Sequence, residues 1–236
     1  MGHEHIVKAF DEQLERLTNM IARMGGIAEG QIAGAIQAVI KRDADLAASV
    51  VEADHKVDVL EREIDEQAVS LLALRQPMAG DLRTVVSALR IASDVERIAD
   101  YAANVAKRAI ALAQMAPVRP VFQIPRMGMV ARDMVRDVLD AYATHNVDKA
   151  VAVWNRDEEL DEIYSSLFRE LLTYMMEDPR NITACTHLLF IAKNIERIGD
   201  HVTNIAETIH YLVVGKPLLG ERPKGDFTSF MTRAQA

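Results

Sequence analysis

The chain has 236 residues, half of them apolar but only 5% aromatic, and a formal net charge of −8. The length suits two small similar lobes of roughly 100 residues each, and filling by alanine, leucine, isoleucine, valine and methionine favours helices packed on helices over a sheet sandwich. With no lysine- or arginine-rich run the balance argues against a general nucleic-acid binder, and with no run of about 18 uncharged apolar residues it argues against direct membrane insertion.

The opening Met1-Gly2-His3-Glu4-His5 carries no apolar signal segment, so a cytoplasmic protein is expected. Apolar residues then recur at helical spacing and predict helices over 8–41, 45–75, 81–114, 124–144, 148–177 and 180–214. Asp43 is placed to cap the second helix. Pro77 and Gly80 mark the second turn, and Pro117, Pro120 and Pro125 gather into a linker that lacks backbone donors. Asn146 is placed to cap the fifth helix, and Asp178-Pro179 sets a capping carboxylate ahead of a proline preset for a first helical turn. Cys185 has no second cysteine to pair with and sits in an apolar stretch, which predicts a buried thiol in a reducing compartment. Met20, Met24, Met127 and Met134 read as core filler, with an adaptable partner surface as the alternative. After Gly215 the tail loses its periodicity at Pro217, Gly220, Pro223 and Gly225 and is expected to be loosely held.

One polar constellation occurs twice. Glu96-Arg97-Ile98-Ala99-Asp100 with Asn104 returns one hundred positions later as Glu196-Arg197-Ile198-Gly199-Asp200 with Asn204. Asp45, Asp54 and Asp58 match Asp148, Asp157 and Asp161 at an offset of 103, so the first copy's second turn is expected to be three residues longer. A repeat in fixed register indicates two copies of one structural unit, and short turns force neighbouring helices antiparallel. The expected fold is therefore all-α: two pseudo-repeated antiparallel three-helix bundles built from six long helices. The first repeat spans 1–116, the proline-rich linker 117–125, the second repeat 126–214 and the tail 215–236.

Residues four apart stack on a helix, so Glu96, Asp100 and Asn104 form one polar ridge and Glu196, Asp200 and Asn204 another. On the preceding helix of the first copy Asp54, Asp58, Glu61 and Asp65 make a second ladder; in the second copy only Asp157 and Asp161 remain, and Tyr164 and Phe168 continue the line. Stacked like charges cost about 0.2–0.5 kcal/mol per pair unless something positive offsets them. Arg97 and Arg197, three residues from Asp100 and Asp200, supply that as surface ion pairs; a bound cation does so more fully. All-oxygen donors favour magnesium, manganese or calcium, iron also accepts carboxylate clusters, and a structural zinc site would call for cysteine and histidine.

Leu74 through Arg83, Asp94-Val95-Glu96-Arg97-Ile98-Ala99-Asp100-Tyr101 and Asn194-Ile195-Glu196-Arg197-Ile198-Gly199-Asp200-His201 together resemble the PhoU family, over nearly everything from His5 to Asp226. The resemblance implies two pseudo-symmetric three-helix bundles, often homodimeric, with no catalysis of their own. It implies a regulator of phosphate uptake and a negative regulator of phosphate-starvation signalling, with the phosphate ABC transporter ATPase subunit and the phosphate-responsive sensor histidine kinase as partners. It also implies metal in some members. Carried over by position, the candidate metal ligands are Glu96, Asp100, Glu196 and Asp200, faced by Asp54, Asp58, Asp157 and Asp161 and flanked by Arg97, Asn104, Arg197 and Asn204. Ala99 against Gly199 reads as a change without consequence.

Two other readings are open to the sequence. Glu52-x-x-His55 and Glu207-x-x-His210 have the spacing of carboxylate-bridged di-metal oxidases, yet both pairs fall off the apolar stripes of their helices, whereas that chemistry needs ligands aimed into the core. A metal-free helical adaptor would keep the ladders as solubilising residues. Phosphate itself has no evident cradle, because no Gly-x-x-x-x-Gly-Lys pattern occurs.

Overall fold

The computed structural model describes residues 2–75, 77–118 and 123–220, without the side chains of 2–9 and 75. Among them run α1 (Gly2–Lys41), α2 (Ala44–Arg75), α3 (Gly80–Ala113), α4 (Gln123–Thr144), α5 (Val147–Glu177) and α6 (Ile182–Val214), with a single 3-10 turn at Pro179–Asn181. The all-α expectation holds, and several boundaries move. α1 begins at Gly2 instead of near 8. α4 begins at Gln123, one residue before the expected helix start, so Ile124 and Pro125, which the linker range 117–125 also took in, lie in its first turn, where a missing amide donor is harmless. The two second turns are equally long, four positions between α2 and α3 and four between α5 and α6; the first copy's three extra residues lengthen the end of α2 and the start of α3. Linker positions 119–122 and tail positions 221–236 lie outside the described residues.

The helix ends follow from their residues. Asp43 Oδ1 accepts from the Leu46 amide at 2.9 Å and Asn146 Oδ1 from the Lys149 amide at 2.9 Å, each satisfying a donor left free at a helix start. Just ahead of them Arg42 and His145 take the left-handed conformation, at φ 55 and 52. That bend lets the Asp43 and Asn146 amides close back on the carbonyls of Ala38 and Ala141, at 3.0 and 2.9 Å. The two corners match at the same offset of 103 as the acidic residues. Asp178 accepts from the Arg180 amide at 3.0 Å and so caps the 3-10 turn, which delays α6 to Ile182.

α1, α2 and α3 pack as one bundle and α4, α5 and α6 as another, and a single apolar core runs through both. α3 is central because its buried positions, Val85, Ala88, Ile91, Ala92, Val95, Ile98, Ala99 and Ala102 among them, cover more than one face. Its small residues let neighbouring helices approach closely. The bundles meet where α3 lies on α6 and α1 on α4. Contacts from Arg90 to Tyr211, Asp94 to Asn204 and Arg108 to Phe190 descend α6 as they climb α3, so the pair is antiparallel.

The α1–α4 seam shows the same internal symmetry. A Cβ at Gly25 would fall 2.2 Å from Leu139 Cδ1, and one at Gly128 would fall 2.4 Å from Ile36 Cγ1. Each helix thus offers a glycine to receive the other's branched aliphatic chain. Both glycines are 103 apart, as are Ile36 and Leu139. Met24, Met127, Met134 and Cys185 are fully buried and Met20 packs against the core, so the filler reading of these residues holds. Among the described residues no helix is long and apolar enough to cross a membrane.

Candidate functional site

The acidic ladders face one another across adjacent helices of each bundle. In the first seam α2 and α3 run antiparallel, which sets Asp54 by Asp100 and sets Asp58 and Glu61 by Glu96, near enough that Asp100 raises the pKa of Asp54, and Glu61 and Asp58 raise that of Glu96. Burial, then Asp100, pushes the Glu96 carboxyl above the usual carboxylate range, and Arg97 pulls it back. Asp54 is raised mainly by burial and eased by a hydrogen bond from Gln31. Glu61 is raised by burial, then by Asp65 and Asp58. Arg97 lies 3.6 Å from Glu96 and 3.4 Å from Asp100, so the ion-pair expectation is met on an exposed side chain.

Gln31 was not legible as a site residue, although it interrupts the apolar stripe of α1. It is 3% exposed and donates from Nε2 to Asp54 Oδ1 at 3.3 Å. Glu61 belongs with the proposed ligands on its position. Lys107 lies close enough to Asp54 to stabilise its ionised form.

The second seam is deeper. Asp157 is 1% exposed, Asp161 5% and Glu196 6%, so these carboxylates lie inside the α5–α6 contact and not on a solvated face, contrary to the surface ridge read from spacing. Gly199 explains the depth. A Cβ there would sit 2.6 Å from Leu160 Cδ2 and 2.7 Å from Asp157 Oδ1, so α5 closes onto α6 over a position where α3 carries Ala99. The alanine–glycine difference, read as inconsequential, sets how closely the acids are enclosed. Tyr164 and Phe168 continue the line as expected, with rings 6.4 Å apart.

The cation on Glu196 is Lys193, whose Nζ lies 2.8 Å from Oε1 and 5.2 Å from the centre of the Tyr164 ring. Glu196 Oε2 is buried without a hydrogen-bond partner among the described residues. Burial outweighs the lysine, and the Glu196 pKa rises to about 7, with Asp200 adding to the rise.

The polar ridge does not continue as one unit. Asn104 accepts from Lys107 at 3.4 Å. Asn204 turns to Asp94 at 3.4 Å, beside His201, whose Nδ1 lies 2.8 Å from the same carboxylate. Arg197 is exposed. His201 thus points away from the second acids and ties α6 to α3, its ring 5.6 Å from that of Tyr101. The di-metal oxidase spacing finds no support: Glu52 and His55 are exposed, Glu207 accepts the Trp154 indole proton at 3.0 Å, and His210 Nδ1 lies 3.0 Å from the Lys216 carbonyl.

The donor chemistry of both seams suits a hard cation. Clustered carboxylates with raised proton affinity, and a glycine cradle over one of them, are the groups such an ion would neutralise. Among the described residues no three acidic, histidine or cysteine side chains already converge on one point, so coordination would need side-chain rotation within the seam.

A family model described as the PhoU domain matches residues 21–109 and 124–209, one match per bundle. The chain is 53% identical to a phosphate-specific transport system accessory protein PhoU homolog of Caulobacter vibrioides, over 96% of this chain and 99% of that one. It is 52% identical to the homolog of the same description from Rhizobium meliloti, over 97% of each. The crystal structure of PhoU from Pseudomonas aeruginosa superposes with a TM-score of 0.85 at 41% identity, covering 88% of this chain and all of that one. The phosphate transport system regulatory protein PhoU from Streptococcus pneumoniae superposes with a TM-score of 0.83 at 29% identity, covering 89% and 100%.

Proposed function

Because the chain belongs to the PhoU family, we propose that it is a non-enzymatic accessory regulator of phosphate uptake that also restrains phosphate-starvation signalling. In this reading it works in the cytoplasm as a homodimer, between the phosphate ABC transporter ATPase subunit and the sensor histidine kinase. One observation carries the reading: 52–53% identity over 96–97% of the chain to accessory proteins of the phosphate-specific transport system.

The two acidic seams are the part of the molecule we assign to this role. Glu96 and Asp100 with Asp54, Asp58 and Glu61, and Glu196 and Asp200 with Asp157 and Asp161, would hold magnesium, manganese, calcium or iron. An ion there supplies positive charge that fixes α2 against α3 and α5 against α6. The chain's own residues do the remainder: Gln31 orients Asp54, Lys193 holds one oxygen of Glu196, and Gly199 admits Asp157 to the seam. A metal-free adaptor is the second reading, favoured by Lys193 already lying on Glu196.

Deleting the gene is expected to raise phosphate uptake and switch starvation genes on at high phosphate, and intact repression in the deletion strain would contradict the regulatory role. Elemental analysis of protein purified without chelator separates the two readings: metal lost on Glu96→Ala and Glu196→Ala supports the ladders, whereas metal content indifferent to both ends the ligand assignment.

A further inference from the structure

A second polar feature lies outside the acidic seams, in the groove between α3 and α6. Asn104, Lys107, Arg108, Ala111, His187, Phe190 and Asn194 line a space of about 400 Å³, and no carboxylate is among them, in a chain whose net charge is −8. That volume falls in the range of small-ligand pockets, roughly 300–1,000 Å³.

The duplication supplies an internal comparison. At the offset of 100 that relates α3 to α6, Lys107 corresponds to Glu207, Arg108 to Thr208, His187 to Ser87 and Asn194 to Asp94. The opposite face of the same helix pair therefore has two carboxylates where this face has a lysine and an amide, and an arginine, Arg90, where this face has Phe190. There Asp94 is engaged by His201, and Glu207 by Trp154. The backbone is common to both faces, so the charge of this groove reflects its own side chains and not the packing of α3 on α6.

The groove's cations are also positioned. Arg108 stacks over the Phe190 ring at 4.5 Å from its centre, which occupies the guanidinium face and leaves its in-plane N–H groups for another partner. Lys107 makes a long contact, 3.4 Å, to Asn104 and also lies within charge range of Asp54 on α2. His187 Nδ1 is buried without a hydrogen-bond partner among the described residues. Burial, and then Arg108, lower its pKa, so the ring is a neutral hydrogen-bonding group near neutral pH. Asn194 donates to the Phe190 carbonyl at 2.7 Å, which fixes its amide on the groove wall.

We propose that this groove binds a phosphoryl anion, as inorganic phosphate or as a small phosphate ester, between Lys107 and Arg108 with the asparagine amides and His187 alongside. A dianion is the charge match for the two cations that line the groove, and charge-assisted contacts of this kind are the strong ones. The space exceeds what a lone phosphate fills, which leaves room for an organic group. The site stands whether or not the regulatory reading does.

Titration calorimetry on the full chain at low ionic strength tests it, with sodium phosphate, adenosine monophosphate and sodium sulfate as probes. The expected result is one saturable site for phosphate or the nucleotide; preference between the two identifies the free or esterified form. Lys107→Glu and Arg108→Thr, which install the residues of the opposite face, should each weaken it about tenfold or more, while Arg180→Ala leaves it unchanged, with circular dichroism confirming folding. No saturable binding of either phosphate probe, binding retained by both variants, or sulfate binding as tightly as phosphate would overturn the assignment.

Discussion

Glu196 concentrates the chemistry of the second seam in one side chain. Its pKa of about 7 stands above the ordinary 4.5, so between those values the folded chain holds a proton that the unfolded chain has released. Its favourable contribution is complete below about pH 4.5 and is lost as pH rises through 7. Glu196→Gln should therefore flatten this part of the stability profile and stabilise the protein above pH 7, by on the order of 2 kcal/mol, in urea unfolding across pH 4.5–8. A parallel profile for the variant would contradict the burial argument. Gly199→Ala should cost about 1–3 kcal/mol in the same assay, because its methyl meets Leu160 and Asp157 at contact distances no side chain tolerates. At this scale the sequence was partly legible. Charge and four-residue spacing located Glu96, Asp100, Glu196 and Asp200, because helical periodicity alone decides which residues share a face. Gln31 and Lys193 were hidden, since their partnerships depend on where α1 and the α6 backbone lie relative to the acids. The meaning of Gly199 was hidden too, since it depends on a close approach that spacing does not encode.

The elements were the most legible scale, for a local reason. Caps act over three or four residues, so Asp43 and Asn146 could be assigned from type and position, and both accept the expected amides. The corners before them were not foreseen, because Arg42 and His145 adopt a conformation that their residue types disfavour. The two should respond differently to glycine. His145 is exposed, so His145→Gly should relieve backbone strain and stabilise by about 1 kcal/mol. Arg42→Gly should gain nothing net, because the Arg42 guanidinium hydrogen-bonds the carbonyls of Leu112 and Met115 at the end of α3. Asn146→Ala should cost about 1 kcal/mol. Thermal unfolding of the three variants distinguishes these outcomes.

At the scale of the whole molecule two copies of one unit share a continuous core, joined on one side by α3 against α6 and on the other by glycines that receive Leu139 and Ile36. Gly25→Ala and Gly128→Ala should each destabilise by about 1–3 kcal/mol and lower the unfolding midpoint of the chain as one cooperative transition. Two separate transitions would show that the bundles fold independently. The symmetry is not complete, and the departures are informative: the second seam is buried where the first is half-open, and the α3–α6 groove carries lysine and arginine without carboxylates on one face and carboxylates beside Arg90 and His201 on the other.

We propose that paired helices enclose carboxylates in order to hold positive charge. The most direct test is thermal unfolding of chelator-treated protein with added magnesium, manganese, calcium or ferrous ion. At saturation at least one ion should raise the midpoint by about 5 °C or more, chelator should reverse the gain, and Glu96→Gln combined with Glu196→Gln should abolish it. A midpoint indifferent to every ion, or a gain that survives the double substitution, would contradict the account.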